Sequence, residues 1–172
     1  MISIRDLERT FNKLRVKIML LMSRGILDSI DNEPKTQNMK ITCLKNETLN
    51  KVERLQEFGF ESYPPADGDT EVLTLFINGT RDIGIVIKAH NRELRPTDLE
   101  EGSSCQWGMD SDDGNNNRIT IKPTDNTIEI KTHDDNNITI DSNGIIITDS
   151  NGNVIDMKSD EVEINSNFKV LQ

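Results

Sequence analysis

RITIKPTDNTIEIKTHDDNNITIDSNGIIITDSNGNVIDMKSDEVEINSNFKVL, residues 118–171, is a train of short β-branched segments separated by Asp, Asn, Ser and Gly. The segments ITIK, TIEIK, ITID, IIITD, VID, VEIN and FKVL alternate apolar with polar residues, the period of a strand with one apolar face. A near-repeat of eight residues underlies them. Asp141-Ser142-Asn143-Gly144 recurs as Asp149-Ser150-Asn151-Gly152, and Ile130, Ile138, Ile146, Val154, Val162 and Val170 fall eight apart. Self-similarity at short period predicts stacked units, none of which buries its apolar face alone. The period is imperfect, because the alternation around Ile145 and Ile147 reads in either register.

One copy of this stretch has a burial problem. Its inward positions are small aliphatics, Phe168 is its only aromatic, and no helical segment follows to cover a sheet face. Three copies wound about a common axis would solve it, with Ile and Val turned to the axis, Lys, Glu and Thr turned to water, and no long free edges. The alternative is a single-layer antiparallel meander with Asn-Gly hairpins, whose exposed isoleucines would need a partner in any case.

The 117 residues before this stretch read as a mount. A length of 172 residues suits one or two domains. Met1 to Leu99 holds 15 acidic and 15 basic residues, whereas Glu100 to Gln172 holds 15 acids against 5 bases, so the net charge of -10 sits wholly in the second half. That asymmetry marks a boundary near residue 100. Multiplied in an oligomer, the charge repels nucleic-acid phosphates and anionic lipid, which argues against nucleic-acid binding. It also keeps a β-rich surface from stacking edge to edge. Cys43 and Cys105 form no CxxC or CxH pattern and read as small apolar side chains of a chain made in a reducing compartment. The N-terminus MISIRDLERT carries charges where a signal peptide needs an apolar core, and the run Ile18–Met22 is too short to span a bilayer.

Residues 3–24 predict one helix, with Ser3 as N-cap, Asp6 three residues on and Gly25 as C-cap. Ile4, Leu7, Phe11, Leu14, Ile18 and Leu21 alternate spacings of three and four, a heptad stripe. It suits either an oligomer seam or docking on the chain's own barrel. From Gly25 to His90, GILDSID, MKITCLK, TEVLTLFING and RDIGIVIKAH are strand candidates, the last two joined by a tight Asn78-Gly79 turn. About five short strands in this span suit a small Greek-key barrel of the OB type. Some OB barrels bind oligonucleotides through aromatic and basic side chains. Here Phe58 and Phe60 precede a proline turn and the nearby cations are matched by carboxylates, so a structural barrel is the better reading. NRELRPTDLEEGSSCQWGMD carries the chain from barrel to repeats.

Several motifs in the middle of the chain resemble one family. Arg24-Gly25 opens the first strand, Gly59-Phe60-Glu61-Ser62-Tyr63-Pro64-Pro65 precedes an acidic-glycine turn, and Asn78-Gly79-Thr80-Arg81-Asp82-Ile83-Gly84-Ile85-Val86-Ile87 leads on to Leu94-Arg95-Pro96 and Glu101-Gly102. In order and spacing the set is similar to the central baseplate spike of Mu-like contractile-tailed phages, also called baseplate assembly protein V. The resemblance implies a homotrimer with an N-terminal segment, an OB barrel that docks on the tail hub, and an intertwined β-helix tapering to a membrane-piercing tip. Seven segments rising ~4.8 Å each would make a rod of about 30 to 35 Å. Several members of the family end in a His-x-His pair that holds iron on the three-fold axis. This chain has only His90 and His133, neither so placed, and no iron site carries over. Phe168, Val170 and Leu171 are instead expected to plug the axis, or a separate tip protein to cap it.

Enzymatic readings fare poorly. Asp110, Asp112, Asp113, Asp134 and Asp135 lie in Asn-rich turns where water keeps them ionised, unlike the paired carboxylates of a glycosidase. Asp110-Ser111-Asp112-Asp113-Gly114 and Asp149-Ser150-Asn151-Gly152-Asn153 offer hard oxygens but fit neither an EF-hand loop nor the glycine-rich nonapeptide. His133 reads as an exposed turn histidine, and no nucleophile elbow, zincin, P-loop or dinucleotide motif occurs.

The sequence therefore predicts a mainly β chain: an N-terminal helix (1–24), an OB-type β-barrel (25–99), a junction (100–117) and a C-terminal intertwined trimeric β-helix rod (118–172). The expected role is a non-enzymatic structural spike that pierces the host envelope when the sheath contracts. No catalytic, cofactor-binding or metal residue is expected, and no cofactor. The expected partners are two further copies, baseplate hub proteins, the tape-measure protein, a tip protein and, transiently, the host envelope. Nucleic acid is not among them. The expected location is the virion tail baseplate, after synthesis in the host cytoplasm without a signal peptide. The alternative is a glycan-binding or depolymerase-like trimeric tail fibre or tailspike.

Overall fold

The computed structural model describes residues 3–33, 35–45, 47–109, 116–158 and 161–165. They form a mainly β chain with one N-terminal helix, divided into two compact units, Met1–Glu93 and Leu94–Gln172. Phe168, Val170 and Leu171 lie outside the described residues, as do Asp110, Asp112 and Asp113.

The first unit opens with α1 (Ile4–Met19), capped as its sequence predicts: the Ser3 hydroxyl accepts from the Asp6 N–H at 3.2 Å. The helix ends several residues before Arg24, and Gly25 is not its cap. From Met22 onward the chain is committed to β1 (Met22–Asn32), whose Met22 pairs with Leu75. Gly25 sits inside that strand opposite Val72, where a Cβ would lie 2.7 Å from the Thr42 carbonyl oxygen, so close backbone approach explains the glycine.

Four further strands, β2 (Gln37–Thr42), β3 (Thr48–Arg54), β4 (Thr70–Phe76) and β5 (Gly84–Asn91), close a barrel with β1 in the order β1-β2-β3-β5-β4. All contacts are antiparallel except β3 with β5, where Glu53 faces Ile85 and Arg54 faces Val86. Alternate residues point inward along β2 and β4, and bulges interrupt the alternation in β1, β3 and β5. Leu27, Met39, Ile41, Val52, Val72 and Val86 fill the centre, and Phe76 is buried beside them. Each such side chain contributes about 1.5 to 3 kcal/mol by leaving water.

The connection from β4 to β5 differs from the tight hairpin read from Asn78-Gly79. It runs from Ile77 to Ile83 and contains a 3₁₀ turn over Ile77–Gly79. The physical reason lies in α1. A Cβ at Gly79 would stand 2.6 Å from the Lys17 carbonyl oxygen, so the bare glycine lets the helix end seat on this loop. The Phe76 N–H donates to the Leu21 carbonyl at 2.8 Å, tying the helix exit to the same end of the barrel.

The second unit is a seven-stranded antiparallel sheet in sequential order: β6 (Ser104–Met109), β7 (Asn116–Lys122), β8 (Thr127–Lys131), β9 (Asn137–Asp141), β10 (Gly144–Thr148), β11 (Val154–Lys158) and β12 (Val162–Asn165). Within one chain this is the meander that the sequence offered as the alternative to a winding. Strand β6, read from sequence as part of the junction, pairs with β7 from Ser104↔Ile121 to Met109↔Asn116. Its SCQWGM alternates Cys105, Trp107 and Met109 with Ser104, Gln106 and Gly108 but holds no β-branched residue, so the search for β-branched runs that found the other strands passed over it. Asp98, Leu99 and Ser103 line a small cavity with Thr120, which is fully buried. Arg118 donates to Asp98 at 2.7 Å.

Candidate interaction surfaces

The sheet of the second unit carries two unbroken apolar ladders on one face. Cross-strand pairing aligns Ile119, Ile130, Ile138, Ile147, Ile155 and Ile164 in one row. It aligns Ile121, Ile128, Ile140, Ile145, Met157 and Val162 in a second. None of the twelve is buried, and Ile121 is 50% exposed. The opposite face carries Thr120, Glu129, Thr139, Ile146, Asp156 and Glu163. Lys122 pairs with Glu129 at 2.9 Å, and Lys158 with Asp156 at 2.8 Å. Direct cross-strand Ile pairs are favourable, yet a one-layer sheet gives them no second layer.

The eight-residue count from Ile138 leads to Ile146, but the structure turns Ile145 and Ile147 to the apolar face instead. The reason is the turn. The first Asp-Ser-Asn-Gly copy makes a two-residue hairpin in which Asp141 pairs with Gly144, whereas the second spans a longer loop between Thr148 and Val154. Asp141 Oδ1 accepts from Asn143 N–H at 2.7 Å, while Asp149 Oδ1 accepts from Asn151 N–H at 2.9 Å and Asn153 N–H at 2.8 Å. Those bonds, led by the Asn153 side chain, hold the Asp149 carboxyl below its ordinary pKa. Equal tetrapeptides thus shift strand parity differently, and parity decides the face.

Helix α1 presents a second unpartnered surface. Every residue of it is exposed, with Ile4 at 78% and Phe11 at 63%. Docking of the stripe on its own barrel is not observed; only the helix end meets the 3₁₀ turn. Between Ile4 and Met19 stand five basic residues (Arg5, Arg9, Lys13, Arg15, Lys17) and two acidic ones (Asp6, Glu8).

The third surface is the loop from Leu55 to Asp69. Phe58 is fully exposed and Phe60 and Tyr63 stand 64% and 61% exposed, although the loop itself is well braced. Arg54 turns inward and donates to the Ser62 carbonyl at 2.8 Å, to Ser62 Oγ at 2.9 Å and to Gln37 Oε1 at 3.0 Å. Burial pushes its guanidinium pKa down, against the pull of Glu61. Gln56 Oε1 accepts from the Ser62 N–H at 3.0 Å. At the loop's far end Asp67 accepts from the Thr70 N–H at 3.1 Å and from Asn91 Nδ2 at 2.8 Å. Partial burial would raise the Asp67 pKa, but hydrogen bonds from the Asp69 and Thr70 N–H groups and the Thr70 hydroxyl outweigh it and hold it low. Between Glu53 and Asp69 lie five carboxylates and that single guanidinium, so the exposed rim is acidic.

A family model described as bacteriophage Mu Gp45, N-terminal, matches residues 24–93, the barrel just described. Through that barrel the chain is similar to the Mu-like gp45 proteins. It is 32% identical over 114 residues to the baseplate puncturing device gp45 of Escherichia phage Mu, covering 66% of this chain and 55% of that protein. It is 26% identical over 104 residues to the Mu-like prophage FluMu protein gp45 of Haemophilus influenzae, covering 60% of this chain and 56% of the relative. The chain thus spans little more than half the length of these gp45 relatives.

The gp45-like motifs now have places in the barrel. Arg24-Gly25 lies in β1, Gly59–Pro65 in the aromatic loop, and Asn78–Ile87 runs from the 3₁₀ turn into β5. Arg81 of that last motif stacks 3.8 Å from the centroid of Phe76 and forms a two-pronged pair with Glu47, whose pKa the Arg81 hydrogen bonds pull down. The remaining titratable candidates stay apart. His90 faces Glu71 across β4 and β5, and His133 lies in the turn between β8 and β9, its N–H donating to Asn117 Oδ1 at 3.0 Å. Asp135 of the same turn pairs with Lys131 at 3.1 Å. Cys43 packs against the barrel core, where burial raises its thiol pKa. Among the described residues no cluster of three or more His, Cys, Asp or Glu is arranged to hold a metal ion, and no helix is long and apolar enough to cross a membrane.

Proposed function

We propose that this chain is the non-enzymatic central spike of a contractile-tail baseplate, working as a homotrimer. The observation that carries the reading is the pair of apolar ladders: twelve aligned aliphatic side chains on one sheet face, none of them buried by the described residues of the second unit. Three such faces turned to a common axis bury one another, while on the reverse side Glu129 and Asp156 keep their lysine partners and Glu163 stays in water. Winding the three sheets together gives the intertwined β-helix, a rod whose strand edges are covered by neighbouring copies.

The barrel, with its order β1-β2-β3-β5-β4, is of the OB type and serves as the mount that docks on hub proteins. Similarity of the barrel to the Mu-like gp45 proteins and the relative's name, baseplate puncturing device, support a place in the virion tail baseplate. In this reading sheath contraction drives the spike through the host envelope, next to the tape-measure protein and with a tip protein or the chain's own terminal residues closing the axis. The test is the molar mass of the purified chain by light scattering. Three chain masses are expected; a clean monomer at micromolar concentration would overturn the reading.

A further inference from the structure

Two of the unpartnered surfaces match each other. The α1 stripe is apolar and set among basic residues, while the aromatic loop is apolar and rimmed with carboxylates at Glu53, Glu57 and Glu61. They lie at opposite ends of one barrel. Helix α1 enters at the end where Met22 pairs with Leu75, and the loop leaves the end where Asn32, Gln37 and Arg54 lie side by side. Gly79 and the Phe76-to-Leu21 hydrogen bond hold the helix at its own end, and its stripe is in solvent along its whole length. Within one copy the two faces therefore do not meet.

A cyclic trimer needs such a pair. About a three-fold axis every contact is heterologous: each copy gives one face and receives with a different one. We propose that α1 of one copy seats on the Phe58–Tyr63 loop of the next, its stripe covering Phe58 and Phe60 and its arginines and lysines facing Glu53, Glu57 and Glu61. Opposite net charge sets the pairing and disfavours α1 packing on α1, where like charges would face each other. The bracing of Ser62 by Arg54, Gln37 and Gln56 fits this role, because it presents the aromatics in one conformation before the partner arrives. This inference rests on the trimer proposed above and adds to it which faces of the first unit meet.

Inter-copy disulfide trapping in the full chain tests it. Phe11→Cys and Phe58→Cys variants are made separately, mixed under dissociating conditions, reassembled and oxidised, with the parent chain supplying the background from Cys43 and Cys105. A Phe11–Phe58 cross-link between copies is expected at least tenfold faster than one between Phe11→Cys and Lys40→Cys, an exposed position on β2. Adding R9E and K13E should slow it about tenfold, and adding E57K and E61K to the other partner should restore it. Faster trapping of Phe11→Cys with itself would overturn the proposal in favour of a helix seam. Light scattering on the same samples separates the failures: a trimer without the Phe11–Phe58 cross-link sinks only this docking, whereas a monomer sinks the trimer as well.

Discussion

The barrel and the sheet are built from the same alternating β-branched strands, yet only one of them finishes its own core. In the barrel, closure curls five strands until Leu27, Met39, Ile41, Val52, Val72 and Val86 meet one another across the interior. In the sheet, seven strands lie side by side and their aliphatic ladders face outward. Strand pattern does not separate them; closure does. A barrel supplies its own second layer, and an open sheet must find one elsewhere.

That contrast breaks most sharply at the barrel core. Leu27→Ala should lower unfolding stability by about 2 to 5 kcal/mol, because a filled, fully buried site becomes a cavity. Denaturant titration at two protein concentrations is the measurement, and the loss should be the same at both. A loss that vanishes at high concentration would mean the barrel, too, borrows its core from other copies.

In the sheet the concentration dependence should appear. Ile147→Asp places a charge on the apolar ladder and is expected to weaken assembly at least a hundredfold, about 2.8 kcal/mol. Ile146→Asp, one residue away on the charged face, should leave the molar mass unchanged. Equal effects of the two substitutions would refute the parity of β10.

Two ion pairs give the finer comparison. Glu47 is held to Arg81 over the Phe76 ring and its pKa is lowered in the fold, so its contribution is complete above the ordinary glutamate value of 4.5 and is lost as pH falls through the folded value. Glu47→Gln should cost about 1 kcal/mol at pH 7 and flatten that acid limb of the stability profile. Asp98 also has a lowered pKa, from Arg118, but its side chain is 59% exposed. Asp98→Asn should therefore cost under about 0.5 kcal/mol, within the range of solvent-screened pairs. A larger loss at Asp98 would show that the second unit becomes buried on assembly.

Much of this was legible in residues. Alternation located β7 through β12, and strand-rich runs located β1, β2, β4 and β5. The charge count put the whole net charge into the second half, and Ser3 announced the helix start. Less legible was anything decided by partners distant in sequence. Gly25 looked like a helix cap until the Thr42 carbonyl stood against it, and Asn78-Gly79 looked like a hairpin until Lys17 stood against that. Strand β6 alternates but holds no β-branched residue, and it is its pairing with β7 that makes it a strand of this sheet.

The exposed surfaces show the same division. By itself the sequence determined that residues 118–171 carry more one-sided apolar strand than a single layer can cover, because period-2 alternation is a local property of the chain. Only the tertiary structure decided that Ile145 and Ile147, and not Ile146, join the ladders, since parity follows from turn length and is measured against the neighbouring strand. Only it put α1 and the aromatic loop at opposite ends of one barrel, because which ends adjoin depends on strand order, a property of the closed sheet that no short window of residues contains.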